Sequence, residues 1–200
     1  MIRTVAGRGE AAFTVRGSEF VGHVAPAETV TAAESFVDAV AAEYEDATHV
    51  VPAYRVRADP LREWASDAGE PSGSAGQPAL NVLEREVVEN VVAAVVRYYG
   101  GTNLGVGGLA RAYGRAVSGA LDDAGTVERR PRERFGVAVD YDDSGTVRAV
   151  LESAGVPFEA TYEARVRFVV DAPADDAPGL CDRLQSATRG RAEIETDPDQ

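Results

Sequence analysis

The strongest structural pattern in this sequence lies at residues 91–114, which read VVAAVVRYYGGTNLGVGGLARAYG. The first six residues are all apolar, as is typical of a strand that is buried on both faces of a sheet. Glycines interrupt the pattern from residue 100 onward, and apolar residues then recur every three or four positions. This spacing predicts a helix over about 104–121, so the stretch predicts a buried strand that turns into a helix.

The region around this stretch lacks acidic residues. No Asp or Glu occurs from Asn90 to Leu121, although 33 of the 200 residues are acidic. Burial explains the acid-free strand, but the predicted helix also carries Arg111 and Arg115 opposite its apolar face. A strand that ends in glycines and turns into a helix directs free backbone N–H groups beyond its end. The pattern favours an anion or phosphate-backbone site; the alternative is that the glycines serve helix packing and the arginines are solvated.

A second glycine-rich segment lies within residues 57–79, a long predicted connection that contains GEPSGSAG at 69–76. Loops of this length are usually functional or disordered. Its serines are either turn residues or nucleophiles, but a triad with Asp67 would need His49, one of only two histidines. No catalytic residue is identified. The candidate nucleic-acid or anion site consists of Arg97, Gly100, Gly101, Thr102, Asn103, Arg111, Arg115, Glu70, Ser72 and Ser74.

Other elements of the first half follow from local patterns. Alternating apolar residues predict strands at 13–15, 20–24 and 48–56. A helix is predicted to begin near Thr31, whose hydroxyl can cap the first turn together with Glu34. Another helix is predicted near 79–89. The N-terminal half therefore mixes strands and helices.

The second half begins after a composition shift near residue 125. The arginine-rich run at 128–134 is interpreted as a linker, which divides the chain into domains at 1–125 and 126–200. Apolar periodicity in the second domain predicts strands at 135–141, 158–162, 166–170 and 191–196, and helices at 144–154 and 174–188. This βαββαβ order is that of the ferredoxin-like fold, which hosts many unrelated functions. The fold class is α+β with two domains.

The composition excludes several classes of chemistry. All 20 basic residues are arginine, which excludes lysine Schiff bases and the lysine-containing phosphate loop. One cysteine and two histidines predict no disulfide framework, no metal site and no cofactor. The net charge of −13 without lysine is typical of adaptation to concentrated salt, and no apolar run is long enough to span a bilayer. We therefore expect a cytoplasmic protein of a halophilic archaeon, with no membrane partner.

The two glycine-rich segments together resemble the signature of the IMPACT/YigZ family. RYYGGTNLGVGGLARAYG at 97–114 looks like one hallmark of that family, and DAGEPSGSAGQP at 67–78 resembles the other. ATH at 47–49, AYR at 53–55 and SEFVGH at 18–23 fit as well. The sequence departs from the family where Val50 and Val51 replace a frequent His and Cys, and where Ala68 replaces a common acid. These departures weigh against a metal or catalytic role at those positions.

The resemblance implies a fold for each domain. The N-terminal domain is expected to be a βαβ sandwich like the second domain of small-subunit ribosomal protein five, with helices on one side of the sheet. The C-terminal domain is expected to resemble the last domain of elongation factor G, in agreement with its βαββαβ order. Eukaryotic members of the family regulate translation initiation, but they carry a further interaction domain, so their kinase-regulating role is not expected here.

Three functions remain open from the sequence. The first is a translation-associated module that binds RNA or the ribosome, although a net charge of −13 opposes nucleic-acid binding at low salt. The second is a small-molecule or anion-binding enzyme that uses the same cleft, with Glu70, Ser72 or His49 as acid, base or polar contact. The third is a regulator that binds a protein partner of the translation stress response. We expect a binding module rather than an enzyme.

Overall fold

The computed structural model describes residues 1–57 and 60–196, which form two compact units. The N-terminal unit covers Ile2–Arg129, and the C-terminal unit begins at Arg130. The elements of the N-terminal unit are β1 (Ile2–Val5), β2 (Gly9–Val15), β3 (Ser18–Pro26), α1 (Val30–Glu43), β4 (His49–Val56), β5 (Arg62–Ala65), α2 (Gly76–Arg85), β6 (Val91–Tyr98), α3 (Val106–Ala124) and β7 (Thr126–Arg129). Those of the C-terminal unit are β8 (Arg132–Val139), α4 (Tyr141–Ala154), β9 (Phe158–Tyr162), β10 (Val166–Pro173), α5 (Ala177–Ala187) and β11 (Glu193–Thr196).

The N-terminal unit is built on a five-stranded antiparallel sheet in the order β2-β3-β6-β4-β5. Its central strand, β6, is the apolar run predicted from the sequence, and residues 91–96 are fully buried. Alternate residues of β6 enter different cores. Val91, Ala93 and Val95 pack with α2 and α3, whereas Val92, Ala94 and Val96 pack on the side of α1. The prediction of a strand buried on both faces is confirmed.

Helices on both faces of this sheet correct one expectation. The family resemblance implies helices on one side only, but α1 covers the face opposite to α2 and α3. The physical reason lies in β6 itself, because a strand with no polar alternation has to be covered on both faces. The N-terminal unit therefore has three layers, helix, sheet and helix pair.

Glycines allow α3 to lie close to the sheet. A Cβ atom on Gly22 of β3 would overlap the backbone carbonyl of Ala116 in α3. A Cβ atom on Gly9 of β2 would likewise overlap the backbone of α3 at Ala120. These two glycines bring the helix, and the side chains that it carries, down onto the sheet.

Three short strands were not predicted from the sequence. β1 and β7 pair antiparallel, with Ile2 opposite Arg129 and Val5 opposite Thr126. The run at 128–134, predicted as a linker, is mostly strand, since its residues except Arg130 and Pro131 belong to β7 and β8; the two units divide within it, between Arg129 and Arg130. β5 lies inside the predicted 57–79 connection and pairs with β4. Each of these three strands has only four residues, too few for a clear period.

Every helix start differs from its prediction by up to three residues: α3 begins at Val106 and not 104, α4 at Tyr141 and not 144, and α5 at Ala177 and not 174. Thr29, not Thr31, caps α1, because its Oγ1 accepts a hydrogen bond from the backbone N–H of Ala32 at 3.0 Å. α2 begins at Gly76, three residues before the predicted start, at the end of the glycine-rich loop.

The C-terminal unit has the ferredoxin-like fold that the sequence predicts. Its elements follow in the order βαββαβ, and its antiparallel sheet has the strand order β11-β8-β10-β9. α4 and α5 cover one face of this sheet around a core that includes Phe135, Phe168 and Leu151. The α+β fold class with a ferredoxin-like C-terminal part is confirmed. No helix among residues 1–57 and 60–196 is both long and apolar enough to cross a membrane.

Candidate functional site

One cross-strand row of the N-terminal sheet sets the position of the candidate site. Phe13 of β2 lies opposite Phe20 of β3, Phe20 lies opposite Arg97 of β6, and Arg97 lies opposite His49 of β4. All four occupy the face that α2 and α3 cover, because Phe20 and the odd-numbered residues of β6 and β4 enter that core. The strand register thus places a guanidinium between an aromatic ring and an imidazole at the end of the sheet.

Arg97 is buried and paired with Glu70. Its Nη1 donates to Glu70 Oε1 at 2.5 Å, and the two side chains are 6% and 3% exposed. The guanidinium also lies over the ring of Phe20, with Cζ 5.5 Å from the ring centroid. A buried charge is tolerated only when it is paired and hydrogen-bonded, so this ion pair fixes the glycine-rich loop to the end of β6.

Tyr113 of α3 completes the pair from the helix side. Its hydroxyl donates to Glu70 Oε1 at 2.7 Å, and the ring packs edge-on against Phe20. Burial raises the pKa of Tyr113, and the hydrogen bond to Glu70 raises it further, so the phenol keeps its proton. Glu70 is therefore held by the sheet and the helix together.

Ser18 links the same cluster to the strand end. Its buried Oγ accepts a hydrogen bond from the backbone N–H of Gly100 at 3.1 Å and lies 3.4 Å from Arg97 Nη2. Gly100 packs directly on Gly17, where a Cβ atom would overlap the backbone. The β2–β3 turn and the segment after β6 are in this way held against each other.

His49 stands at the more open side of the cluster. Its Nδ1 lies 2.8 Å from the carbonyl oxygen of Ala68, which requires the proton on Nδ1 and leaves Nε2 as an acceptor in the neutral ring. Nε2 is 4.0 Å from Glu70 Oε1, and the His49 side chain is 21% exposed. Ala68 and Gly69 both have positive φ, and a Cβ atom on Gly69 would lie 3.3 Å from the imidazole. The loop is thus shaped closely around this ring.

Asp67 occupies the backbone donors of the glycine-rich loop. Its carboxylate accepts hydrogen bonds from the N–H groups of Gly73, Ala75 and Gly76 at 2.7–3.0 Å. These bonds, that of Gly73 first, lower the pKa of Asp67. The Asp67 carboxylate is therefore the anion that these N–H groups bind, and they are not free for a phosphate.

The serines of the loop differ in their environments. Ser72 is exposed, whereas Ser74 is buried and its Oγ has no hydrogen-bond partner among the described residues. His49 Nδ1 faces a carbonyl and Asp67 holds the loop backbone, so a Ser-His-Asp triad is not assembled. Within residues 1–57 and 60–196, no group of three His, Cys, Asp or Glu side chains could hold a metal ion.

Arg111 and Arg115 are placed differently from Arg97. Both are exposed, and no ion pair within the described part of the chain reaches either of them. The guanidinium of Arg115 lies 4.1 Å from the centroid of the Phe13 ring, at the outer end of the cross-strand row. Residues 100–103 are exposed beside the start of α3. The structure thus separates the predicted site into a buried Arg97–Glu70 pair and an exposed arginine surface.

Sequence reasoning missed two members of the buried cluster. Tyr113 lies on the apolar stripe of its helix and is interpreted from the sequence as core, yet a buried tyrosine hydroxyl normally needs a hydrogen-bond partner, which was the available signal. Ser18 gives no comparable signal, because its role depends on the register between β3 and β6.

Comparisons with known proteins cover both units of the chain. A family model described as the Impact N-terminal domain matches residues 16–121, and one described as a domain of unknown function (DUF1949) matches residues 137–191. The chain is similar to IMPACT family member YvyE of Bacillus subtilis (strain 168), with 33% identity over 96% of this chain and 88% of the relative. It is also similar to IMPACT family member YigZ of Escherichia coli (strain K12), with 34% identity over 90% of each chain.

A solved structure shares both units. A crystal structure described as that of a hypothetical protein matches with a TM-score of 0.73 and 31% identity, covering 100% of this chain and 98% of that one. The family models and both relatives support the membership that the glycine-rich segments predict, and the chain belongs to the IMPACT family.

Proposed function

We propose that this protein is a translation-associated regulator that binds RNA or ribosomal phosphates through an exposed arginine face. This face consists of Arg111 and Arg115 on α3 together with residues 100–103. The observation that carries the proposal is that both arginines stay exposed and outside every ion pair between described residues, in a chain with 33 acids. Guanidinium groups that are free of carboxylates are suited to phosphate oxygens.

The position of Arg115 also favours a binding role. Stacking of its guanidinium on Phe13 limits the freedom of the side chain, so less entropy is lost when a phosphate binds. No acid occurs in the stretch from Asn90 to Leu121, so no carboxylate within this stretch offsets the charges of Arg111 and Arg115.

The buried cluster connects the elements that carry this face. The Arg97–Glu70–Tyr113 hydrogen bonds tie the glycine-rich loop, the end of β6 and the middle of α3 into one rigid body. In this proposal Arg97 and Glu70 position the exposed groups and do not contact the phosphate themselves, because both side chains are almost fully covered.

A salt series with matched variants tests the proposal. Binding of a labelled single-stranded RNA of about 12 nucleotides is followed by fluorescence anisotropy in wild type and in Arg111→Ala/Arg115→Ala. Two lost phosphate contacts should make the plot of log K against log salt concentration shallower by about 1.4. The control is Arg183→Ala/Arg189→Ala, which removes two exposed arginines of the C-terminal unit. An RNA affinity and salt slope equal to wild type in the α3 double variant would refute the proposal.

A second candidate function is a small-molecule or anion-binding enzyme centred on His49. The observation that favours it is the acceptor Nε2 of a partly exposed imidazole beside a buried carboxylate, an arrangement suited to acid–base chemistry. Hydrogen phosphate, whose P–OH group can donate to the acceptor Nε2, should then raise the melting temperature of wild type but not of His49→Gln. An equal effect on both proteins would remove this candidate.

A further inference from the structure

Tyr99 is an exposed aromatic residue that the proposed phosphate contacts do not use. It directly follows β6, and 46% of the residue is exposed. Its backbone N–H donates to Thr48 Oγ1 at 2.9 Å, and its hydroxyl donates to Asn103 Oδ1 at 3.2 Å. The ring is therefore anchored at the backbone and at the hydroxyl while it remains open to solvent.

The surroundings of Tyr99 leave room for a flat group. The guanidinium of Arg97 lies over the ring, with Cζ 5.4 Å from its centroid, so one face is covered by the buried cluster. Of the next two residues, Gly100 packs on Gly17, whereas a Cβ atom built on Gly101 would meet nothing within 4 Å, so the open space lies beside Gly101. A ring that is fixed in place and flanked by glycines can stack with a planar ligand at little entropic cost.

Tyr99 also belongs to the same end of the unit as the arginine face. Contacts run from Tyr99 to Arg97, from Arg97 to Phe20, from Phe20 to Phe13 and from Phe13 to Arg115. Asn103, which belongs to the arginine face, accepts the hydrogen bond of the Tyr99 hydroxyl, so a polymer that contacts this face at residues 100–103 passes the open ring.

We propose that Tyr99 stacks with an unpaired base, so that the RNA bound by the arginine face is single-stranded where it crosses residues 99–103. This inference rests on the proposed function and adds the class of RNA. In a duplex the faces of the bases are already stacked on each other, whereas an unpaired base offers its face to an aromatic side chain. The ring thus selects single strands, and the arginines alone do not.

The experiment compares a single-stranded RNA of about 12 nucleotides with a duplex of the same length. Anisotropy is measured with wild type, Tyr99→Ala and Tyr99→Phe, and with Trp64→Ala as the matched control. Trp64 has nearly the same exposure, 47%, but lies on β5 at the edge of the sheet. Tyr99→Ala should lower the affinity for the single strand about 5- to 100-fold and change that for the duplex by less than about twofold.

The other variants separate stacking from loss of structure. Tyr99→Phe keeps the ring and loses only the hydrogen bond to Asn103, so it should keep most of the single-strand affinity that Tyr99→Ala loses, and Trp64→Ala should bind like wild type. Unchanged single-strand affinity in Tyr99→Ala, while Arg111→Ala/Arg115→Ala binds weakly, overturns the stacking proposal and leaves the arginine face intact. An equal loss for both probes in Tyr99→Ala also overturns it. If wild type binds neither probe, the proposed function fails and the stacking proposal fails with it.

Discussion

The buried Arg97–Glu70 pair gives the sharpest test of how the glycine-rich loop is held. Replacing Arg97 by Met keeps most of the apolar stem and removes the guanidinium. Glu70 then keeps the hydrogen bond from Tyr113 but loses its counter-charge, in a position where its side chain is 3% exposed. Removing one partner of a buried ion pair costs about 3–5 kcal/mol, and we expect Arg97→Met to lower the free energy of unfolding of the N-terminal unit by that amount.

A second substitution should recover part of this loss. In Arg97→Met/Glu70→Gln the uncompensated carboxylate is gone, and the amide oxygen of Gln can still accept the hydrogen bond from Tyr113. Because replacing both charges avoids the buried unpaired charge, the double variant should be less destabilised than Arg97→Met by at least about 1 kcal/mol. Such non-additivity is expected only if the two side chains interact directly.

Urea unfolding followed by tryptophan fluorescence is the assay. Trp64 is the only tryptophan of the chain and lies on β5, so its signal reports on the N-terminal unit. Arg111→Met is the control, because an exposed arginine without an ion pair should change stability by less than about 0.5 kcal/mol. A loss below about 1 kcal/mol in Arg97→Met, or a double variant as unstable as the single one, would refute the reasoning.

Two further predictions concern the loop and the packing of α3. Asp67 has a lowered pKa in the folded state, so its contribution to stability is present above its ordinary pKa of about 4 and is lost as pH falls through the folded value. Asp67→Asn should therefore be less stable than wild type at neutral pH and lose less stability than wild type on acidification. Urea unfolding measured across pH tests this, and curves of unfolding free energy against pH that run parallel for the two proteins would contradict it. Gly22→Ala should lower the free energy of unfolding by about 1–3 kcal/mol, because the added Cβ atom would overlap the backbone of Ala116. Gly145→Ala, at an open position in α4, should instead raise the free energy of unfolding by about 0.5–1 kcal/mol. Thermal melts measure both variants, and melting temperatures that shift in the same direction would contradict the prediction.

Sequence pattern predicted the elements whose side chains follow a clear period. The apolar run of β6 and the elements of the C-terminal unit other than the four-residue β11 are long enough for burial to leave a repeating trace. β1, β5 and β7 have four residues each, and β1 pairs with a segment at the other end of its unit. Pairing between segments so far apart leaves no local signal, so these strands could not be found from periodicity.

The candidate site was predictable in part. The absence of acids from 90 to 121 pointed to α3 and to the end of β6, where the structure places exposed Arg111 and Arg115 and buried Arg97. It could not distinguish exposed Arg111 from buried Arg97, because the partner of Arg97 is Glu70, which the loop brings back from 27 residues earlier. Nor could the loop sequence show that the Asp67 carboxylate would accept hydrogen bonds from the backbone N–H groups of Gly73, Ala75 and Gly76. Both outcomes depend on tertiary geometry.

The pairing of β1 with β7 has a consequence for synthesis of the chain. Ile2 meets Arg129 and Val5 meets Thr126, so the first strand has no partner in that ribbon until nearly the whole N-terminal unit has been translated. Val5 is fully buried in the finished unit, and the pairing of its strand with β7 can form only after Arg129 has been translated. The central strands can pair earlier, so the pairing of β1 with β7 is the last strand pairing of the N-terminal unit that translation allows.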